Sequence, residues 1–206
     1  MSDTSVPAAP EVDTDRRGFL TIATVATGVV GAAFAAVPFI ASWSPSERAR
    51  AAGAPVEVDL TKLEPGQMVT YVYRKKPVYV VRRTPEMLER LSGHEGELKD
   101  AESRSSQQPE YAQNEARAVR PEFLVVEGTC THLGCLPKAR FEAGASPELG
   151  DKWPGGFFCP CHGSRFDLAG RVFNGSPASA NLTVPVYSFR DDATLVIGVD
   201  AATGVA

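Results

Sequence analysis

The 206-residue chain carries 21 Lys and Arg against 25 Asp and Glu, a formal net charge of −4, with 43% hydrophobic residues. A balance this close to neutral offers no basic surface for nucleic acid, and so weak an acidic excess says little about a protein partner.

The first 15 residues are rich in Ser, Thr, Pro, Ala and Asp and are expected to be a disordered tail. Thr14-Asp-Arg-Arg-Gly-Phe-Leu20 resembles a twin-arginine export signal, which would leave the N-terminus inside and everything beyond the span outside. Phe19 to Trp43 is an uncharged run of 25 residues, and Trp43 sits where an interfacial aromatic belongs. As a helix the run spans about 37 Å, more than the roughly 30 Å hydrocarbon core of a bilayer. Its length favours retention as an anchor over removal, although Ala33-Phe-Ala35 has the small residues of a cleavage site. We therefore assign 1–15 to a cytoplasmic tail, 16–43 to signal and anchor, and 44–55 to a flexible tether, since Ser44–Pro55 lacks hydrophobic periodicity.

From Val56 to the C-terminus about 150 residues remain, enough for one compact domain. Val56–Leu60 alternates as a strand does, and Gln67–Arg74 with Val78–Arg83 reads as a hairpin turning at Lys75-Lys76-Pro77. Thr84-Pro85 begins a short helix with a capping hydroxyl and a proline in its first turn. Residues 92–120 are polar and read as a long surface excursion; His94, in a Gly-flanked turn within it, is expected to be solvated and unpartnered. Glu122–Glu127 and Gly156–Cys159 are strands that each run into a cysteine loop. Glu142–Pro154 reads as an extra loop, and Val184–Arg190 with Thr194–Val199 closes a last hairpin at Asp191-Asp192. The class is all-β, with an insert at about residues 128–181.

That insert holds Cys130-Thr-His132-Leu-Gly-Cys135 and Cys159-Pro-Cys161-His162-Gly-Ser164, which contain all four cysteines and two of the three histidines. Cys130 and Cys159 can hold one iron as thiolates while His132 and His162 hold another as neutral imidazoles, the donor set of a Rieske 2Fe-2S centre. Replacing two thiolates by imidazoles lowers the negative charge. It raises the potential to roughly −150 to +300 mV, against about −400 mV for all-cysteine clusters. Gly134 and Gly163 lie where backbone amides can approach the cluster without a clashing Cβ. A structural zinc on the same residues, or two disulfides, are the competing readings. The spacing is unusual for zinc, and disulfides alone leave the histidines unexplained.

The stretches CTHLGC, CPCHGS, RFDLAGRV, PEFLVVEGTC and RRGFL resemble the Rieske iron–sulfur subunits of bacterial cytochrome bc complexes, from about residue 15 to the C-terminus. The resemblance implies a Rieske fold, an antiparallel β sandwich with a small cluster-binding subdomain, behind one transmembrane helix. It implies Cys130, His132, Cys159 and His162 as metal ligands to one 2Fe-2S cluster, and a disulfide between Cys135 and Cys161. Ser164 would donate a hydrogen bond toward the cluster. Phe166 stands where many members carry a tyrosine donor, which implies a lower potential here. The family's Gly-Pro-rich covering loop corresponds to the looser Asn174–Asn181. Leu133, Gly134 and Pro177 would form an apolar collar, with His162 and His132 as the catalytic contacts to ubiquinol. The partners implied are cytochrome b and a c-type cytochrome in a dimeric complex of the bacterial inner membrane, with the head on the periplasmic side. The twin-arginine reading agrees, because that route exports folded, cofactor-loaded proteins. The alternative is the Rieske small subunit or electron carrier of a periplasmic oxidase such as the arsenite-oxidase type.

Overall fold

The computed structural model describes residues 13–200, so most of the expected N-terminal tail lies outside the described residues. Two compact units divide between Ala49 and Arg50. In the first, helix α1 (Thr14–Ala41) begins earlier than the apolar run. Asp13 caps it, its carboxylate accepting from the Arg16 N–H at 3.0 Å, so the arginine pair is helical. Thr21, Thr24 and Thr27 donate back to carbonyls four residues earlier at 2.8 Å, which satisfies their hydroxyls without water. The helix is exposed throughout, contains an 18-residue window of mean hydropathy 2.0, and is long and apolar enough to cross a membrane. It stops at Ala41, leaving Trp43 in the turn beyond. The stretch expected to be an irregular tether instead contains a short helix, α2 (Glu47–Ala52).

The second unit has the strands β1 (Val56–Asp59), β2 (Met68–Tyr73), β3 (Lys76–Arg82), β4 (Phe123–Glu127), β5 (Lys138–Arg140), β6 (Gly144–Ser146), β7 (Gly150–Trp153), β8 (Gly156–Cys159), β9 (Ser164–Phe166), β10 (Tyr187–Phe189) and β11 (Thr194–Ile197). Helix α3 (Pro85–Glu89) follows β3, and the Thr84 hydroxyl accepts from the Met87 N–H at 3.3 Å as its cap. All pairings between strands are antiparallel, in sheets ordered β1-β11-β10, β2-β3-β4 and β5-β8-β9, with β6-β7 as a separate hairpin. One apolar core includes Val58, Leu195 and Ile197 of the first sheet, Val80 and Leu124 of the second, and Phe157 and Phe166 of the third. β3 and β4 read as near-continuous apolar runs because both of their faces are covered.

Three expectations change. The hairpin turns at Arg74-Lys75, both at positive φ (48° and 65°), and Lys76-Pro77 already belongs to β3, with Pro77 opposite Val72. A two-residue turn of this hand usually uses Asn-Gly, so Arg-Lys gave no signal of it. Glu142–Pro154 is largely the β6-β7 hairpin, whose Trp153 packs with Leu98, Leu149 and Phe173 in a second small core.

The third change concerns the polar stretch 92–120, which runs over the surface as expected but is anchored in the interior by buried Leu98, Ser103, Ala112, Arg117 and Ala118. Arg117 is fully buried and donates to the Ala169, Gly170 and Leu182 carbonyls and to Gln108 Oε1. Arg83 likewise serves Pro121, Leu168 and Ala116, and burial draws each of these two guanidiniums down to about 10, still protonated at neutral pH. Buried Arg171 pairs with buried Asp167 at 2.7 Å. His94 is neither solvated nor alone. Its Nε2 lies 3.3 Å from Asp167 Oδ2 and its ring stacks on Phe173 at 5.6 Å. Burial alone would push Asp167 up, but hydrogen bonds from His94 and Arg171 outweigh it and hold the carboxyl below its ordinary range.

The Asp167 bond raises the His94 pKa, against burial and Arg171, which lower it. A histidine raised above its unfolded value of about 6.5 stabilises the fold fully below that pH, and loses the contribution as pH rises through the folded pKa. Denaturant unfolding of the wild type and His94→Gln should therefore show a larger stability difference at pH 6 than at pH 8. Equal differences at the two pH values would mean that the pair adds nothing through protonation.

Candidate metal centre

The two cysteine loops are built on the same turn. Cys130–Cys135 follows β4, and Cys159, the last residue of β8, opens the second loop, Cys159–Ser164. In the first, the Gly134 N–H donates to the Cys130 carbonyl at 3.0 Å; in the second, the Gly163 N–H donates to the Cys159 carbonyl at 2.9 Å. Both glycines are left-handed, with φ of 82° and 77°. A Cβ on either would meet no protein atom within 4 Å, so among the protein atoms it is the backbone hand that calls for glycine. The cysteine-to-glycine spacing is therefore identical in the two loops, while the histidine sits two residues after its cysteine in one and three in the other.

That arrangement sorts the donors. Cys130 and Cys159 are free and buried, at 3% and 2% exposure. The His132 and His162 rings lie 4.8 Å apart and nearly perpendicular, His132 half-buried and His162 exposed. Cys135 and Cys161 form a disulfide with Cα atoms 6.6 Å apart, joining the loops covalently. Cys135, Cys159 and Cys161 come within 4.8 Å of one another, yet the disulfide removes two of them as thiolates. The donors that remain are two buried thiols and two neighbouring imidazoles, a set that fits an iron pair with sulfur on one side and nitrogen on the other. Burial pushes the Cys130 thiol up, and Cys159 beside it adds to the rise. A bound metal would favour the thiolate of Cys130 against that burial.

Ser164, fully buried, lies beside the Cys130 thiol, whose pKa it draws down against burial, and accepts from the Ala178 N–H at 3.0 Å. Phe166, also fully buried, lies in the same core as Cys130 and Cys159. The third loop, Asn174–Asn181, is tied to both cysteine loops. Thr131 Oγ1 donates to the Ala180 carbonyl at 2.5 Å, and the Arg165 N–H donates to Ser176 Oγ at 3.1 Å. Pro177 and Leu133 are exposed, the latter at 70%. Leu136 (56%), directly after the disulfide cysteine, is an exposed apolar residue that sequence reasoning passed over. Its signal was a leucine at the end of a polar loop motif. Tyr79, whose hydroxyl holds the Pro137 carbonyl at 3.0 Å, and Lys99, discussed below, were also missed. Both come from remote segments and carry no local motif.

Residues 56–188 match the Rieske [2Fe-2S] domain family, and residues 6–46 match the family described as the Ubiquitinol-cytochrome C reductase Fe-S subunit TAT signal. Over 193 residues the chain is 53% identical to the ubiquinol-cytochrome c reductase iron-sulfur subunit of Allochromatium vinosum, covering 94% of this chain and 93% of that protein. It is 40% identical to the proteins of the same name in Blastochloris viridis (187 residues, 91% and 94% coverage) and Rhodospirillum rubrum (192 residues, 93% and 96% coverage).

The disulfide closes a span of 26 residues. Chain-entropy reasoning assigns a loop of that size about 3.5 kcal/mol. The double variant Cys135→Ser/Cys161→Ser should lose about 2–4 kcal/mol in equilibrium unfolding, and reductant should reproduce the loss in the wild type. A difference under about 0.5 kcal/mol would mean that hydrogen bonds alone hold the loops.

Proposed function

The chain belongs to the Rieske iron–sulfur family of ubiquinol–cytochrome c reductase subunits, and from that premise we propose that it takes one electron, with a proton, from ubiquinol and hands the electron to a c-type cytochrome. The observation that carries this reading is the sorting of donors: thiols inward, imidazoles outward, on two loops locked to each other. In this reading Cys130 and Cys159 ligate one iron, and His132 and His162 the other. The match to reductase subunits spans the anchor as well as the head, which favours this reading over a periplasmic oxidase subunit.

The bound 2Fe-2S group supplies a mild one-electron acceptor whose iron also acidifies the remaining N–H of an imidazole attached to it. His162, the more exposed ring, presents its outer nitrogen to the quinol hydroxyl and accepts that proton; His132 stands beside it, half-buried. Leu133, Leu136 and Pro177 put apolar surface around the imidazoles and exclude water from the contact. Ser164, beside Cys130, has its hydroxyl proton left to donate toward the sulfur, an interaction that favours the more negative, reduced state. Helix α1 anchors the chain in the bacterial inner membrane. The twin-arginine signal puts the head on the periplasmic side, beside cytochrome b and a c-type cytochrome in a dimeric complex. Residues 44–55 let the head move between them.

Low-temperature electron paramagnetic resonance during a redox titration at several pH values tests this. The expected result is a Rieske signal with a high midpoint that falls as pH rises, by about 59 mV per pH unit for each proton taken up with the electron. A low, pH-independent midpoint would make the chain a ferredoxin-like carrier, and colourless protein without a signal would end the redox reading. Phe166→Tyr should raise the midpoint by adding a phenol donor beside the thiolates; an unchanged or lower value would sink that assignment.

A further inference from the structure

The polar excursion is paired with the strand-like segment that leads into the third loop. Leu98 bridges Phe173, the Lys99 N–H donates to the Val172 carbonyl at 3.0 Å, and the Asn174 N–H donates to the Glu97 carbonyl at 2.7 Å. This backbone pairing brings the Lys99 side chain onto the loop. Its ammonium donates to the Ser176 and Ala178 carbonyls, both at 2.7 Å. Those carbonyls flank the Pro177–Ala178 peptide, and the N–H of that peptide is the one that donates to Ser164 Oγ at 3.0 Å. Ser164, buried at the end of this row, lies beside the Cys130 thiol and acts on it electrostatically.

A hydroxyl has one proton and two lone pairs. With the Ala178 N–H on a lone pair, the proton is left for the Cys130 sulfur, and each bond in such a row polarises the next. We infer that Lys99 is a positioning residue for the metal centre, clamping the third loop so that the Ala178 amide holds Ser164 aimed at Cys130. A compact ammonium with three donors suits two carbonyls better than a planar guanidinium or an amide. The side chain belongs to an exposed residue, so its charge acts on the centre only through solvent screening; its grip on the two carbonyls is what counts. The inference rests on Cys130 being a cluster ligand, as proposed above.

The test is a double-mutant cycle in the full-length, membrane-extracted protein, reading the midpoint potential by electron paramagnetic resonance and amide exchange of a peptide covering residues 174–181. Lys99→Met should lower the midpoint and speed exchange at the Ala178 amide, and Lys99→Arg should recover part of both. In a Ser164→Ala background, Lys99→Met should leave the midpoint where Ser164→Ala alone puts it, because the path is already cut. Equal midpoint shifts in the two backgrounds would overturn the inference in favour of a through-space charge effect. Unchanged exchange would overturn it as well. If Lys99→Met fails to fold, Lys99→Gln, which keeps a donor without the charge, carries the same comparison. Absence of a Rieske signal in the unmutated protein would instead sink the proposed function, and exchange would still report whether Lys99 clamps the loop.

Discussion

Among the described residues Asp167 is the one buried carboxylate, and the segment it begins receives nearly every long polar side chain in the interior. Its oxygens accept from the Ala169 and Arg171 N–H groups, from the Arg171 guanidinium and from His94. These bonds close the turn immediately after β9, which follows the second cysteine loop. Arg83 and Arg117 then fill the outward carbonyls of 168–170. Removing a buried carboxylate from such a set would leave a guanidinium without a countercharge and several polar groups without partners, a loss of roughly 3–5 kcal/mol. The second loop inherits its orientation from this turn.

The parts of the chain governed by local rules were legible in its sequence. The two cysteine loops declared themselves because metal donors and left-handed glycines are rare residues placed under tight spacing. The Thr84-Pro85 cap, the strands entering both loops and the last hairpin also follow local patterns. What escaped depends on contacts distant in the chain. His94 looked solvated because its partner lies 73 residues away, and the burial of Arg117 within the surface stretch 92–120 went unread because arginine is read as an exposed residue. The buried guanidiniums of Arg83 and Arg117 bind backbone carbonyls rather than acids, so no charge pattern along the chain could reveal them. The β6-β7 hairpin has three- and four-residue strands in which Trp153 alone is a large apolar anchor, too short for a periodicity to register.

The two loops also show why the histidine spacings differ. If both turns share a backbone, a histidine two residues along and one three residues along emerge at different angles. Such an offset brings two rings edge to face at 4.8 Å instead of stacking them. The cysteines, both at the first position of the turn, one three residues beyond β4 and the other ending β8, stay in the core. One repeated turn with a one-residue offset thus yields an inner pair of sulfurs and an outer pair of nitrogens.

Hydrophobic burial could not have built this tip. It is non-directional, and the imidazoles and Leu133 must remain accessible, so little apolar area is removed from water there. Orientation at an exposed tip has to come from bonds that fix angle as well as distance. The structure supplies three kinds. A disulfide ties loop to loop, glycine turns fix each loop internally, and hydrogen bonds from Thr131 and Arg165 to the third loop, and from its Ala178 N–H to Ser164, fasten that loop across them. The polar excursion adds the outer tier, with Lys99, Asn181 and His94 joining it to the same segment. The composition that made residues 92–120 look like solvent-facing filler is what a directional brace for a surface metal centre requires.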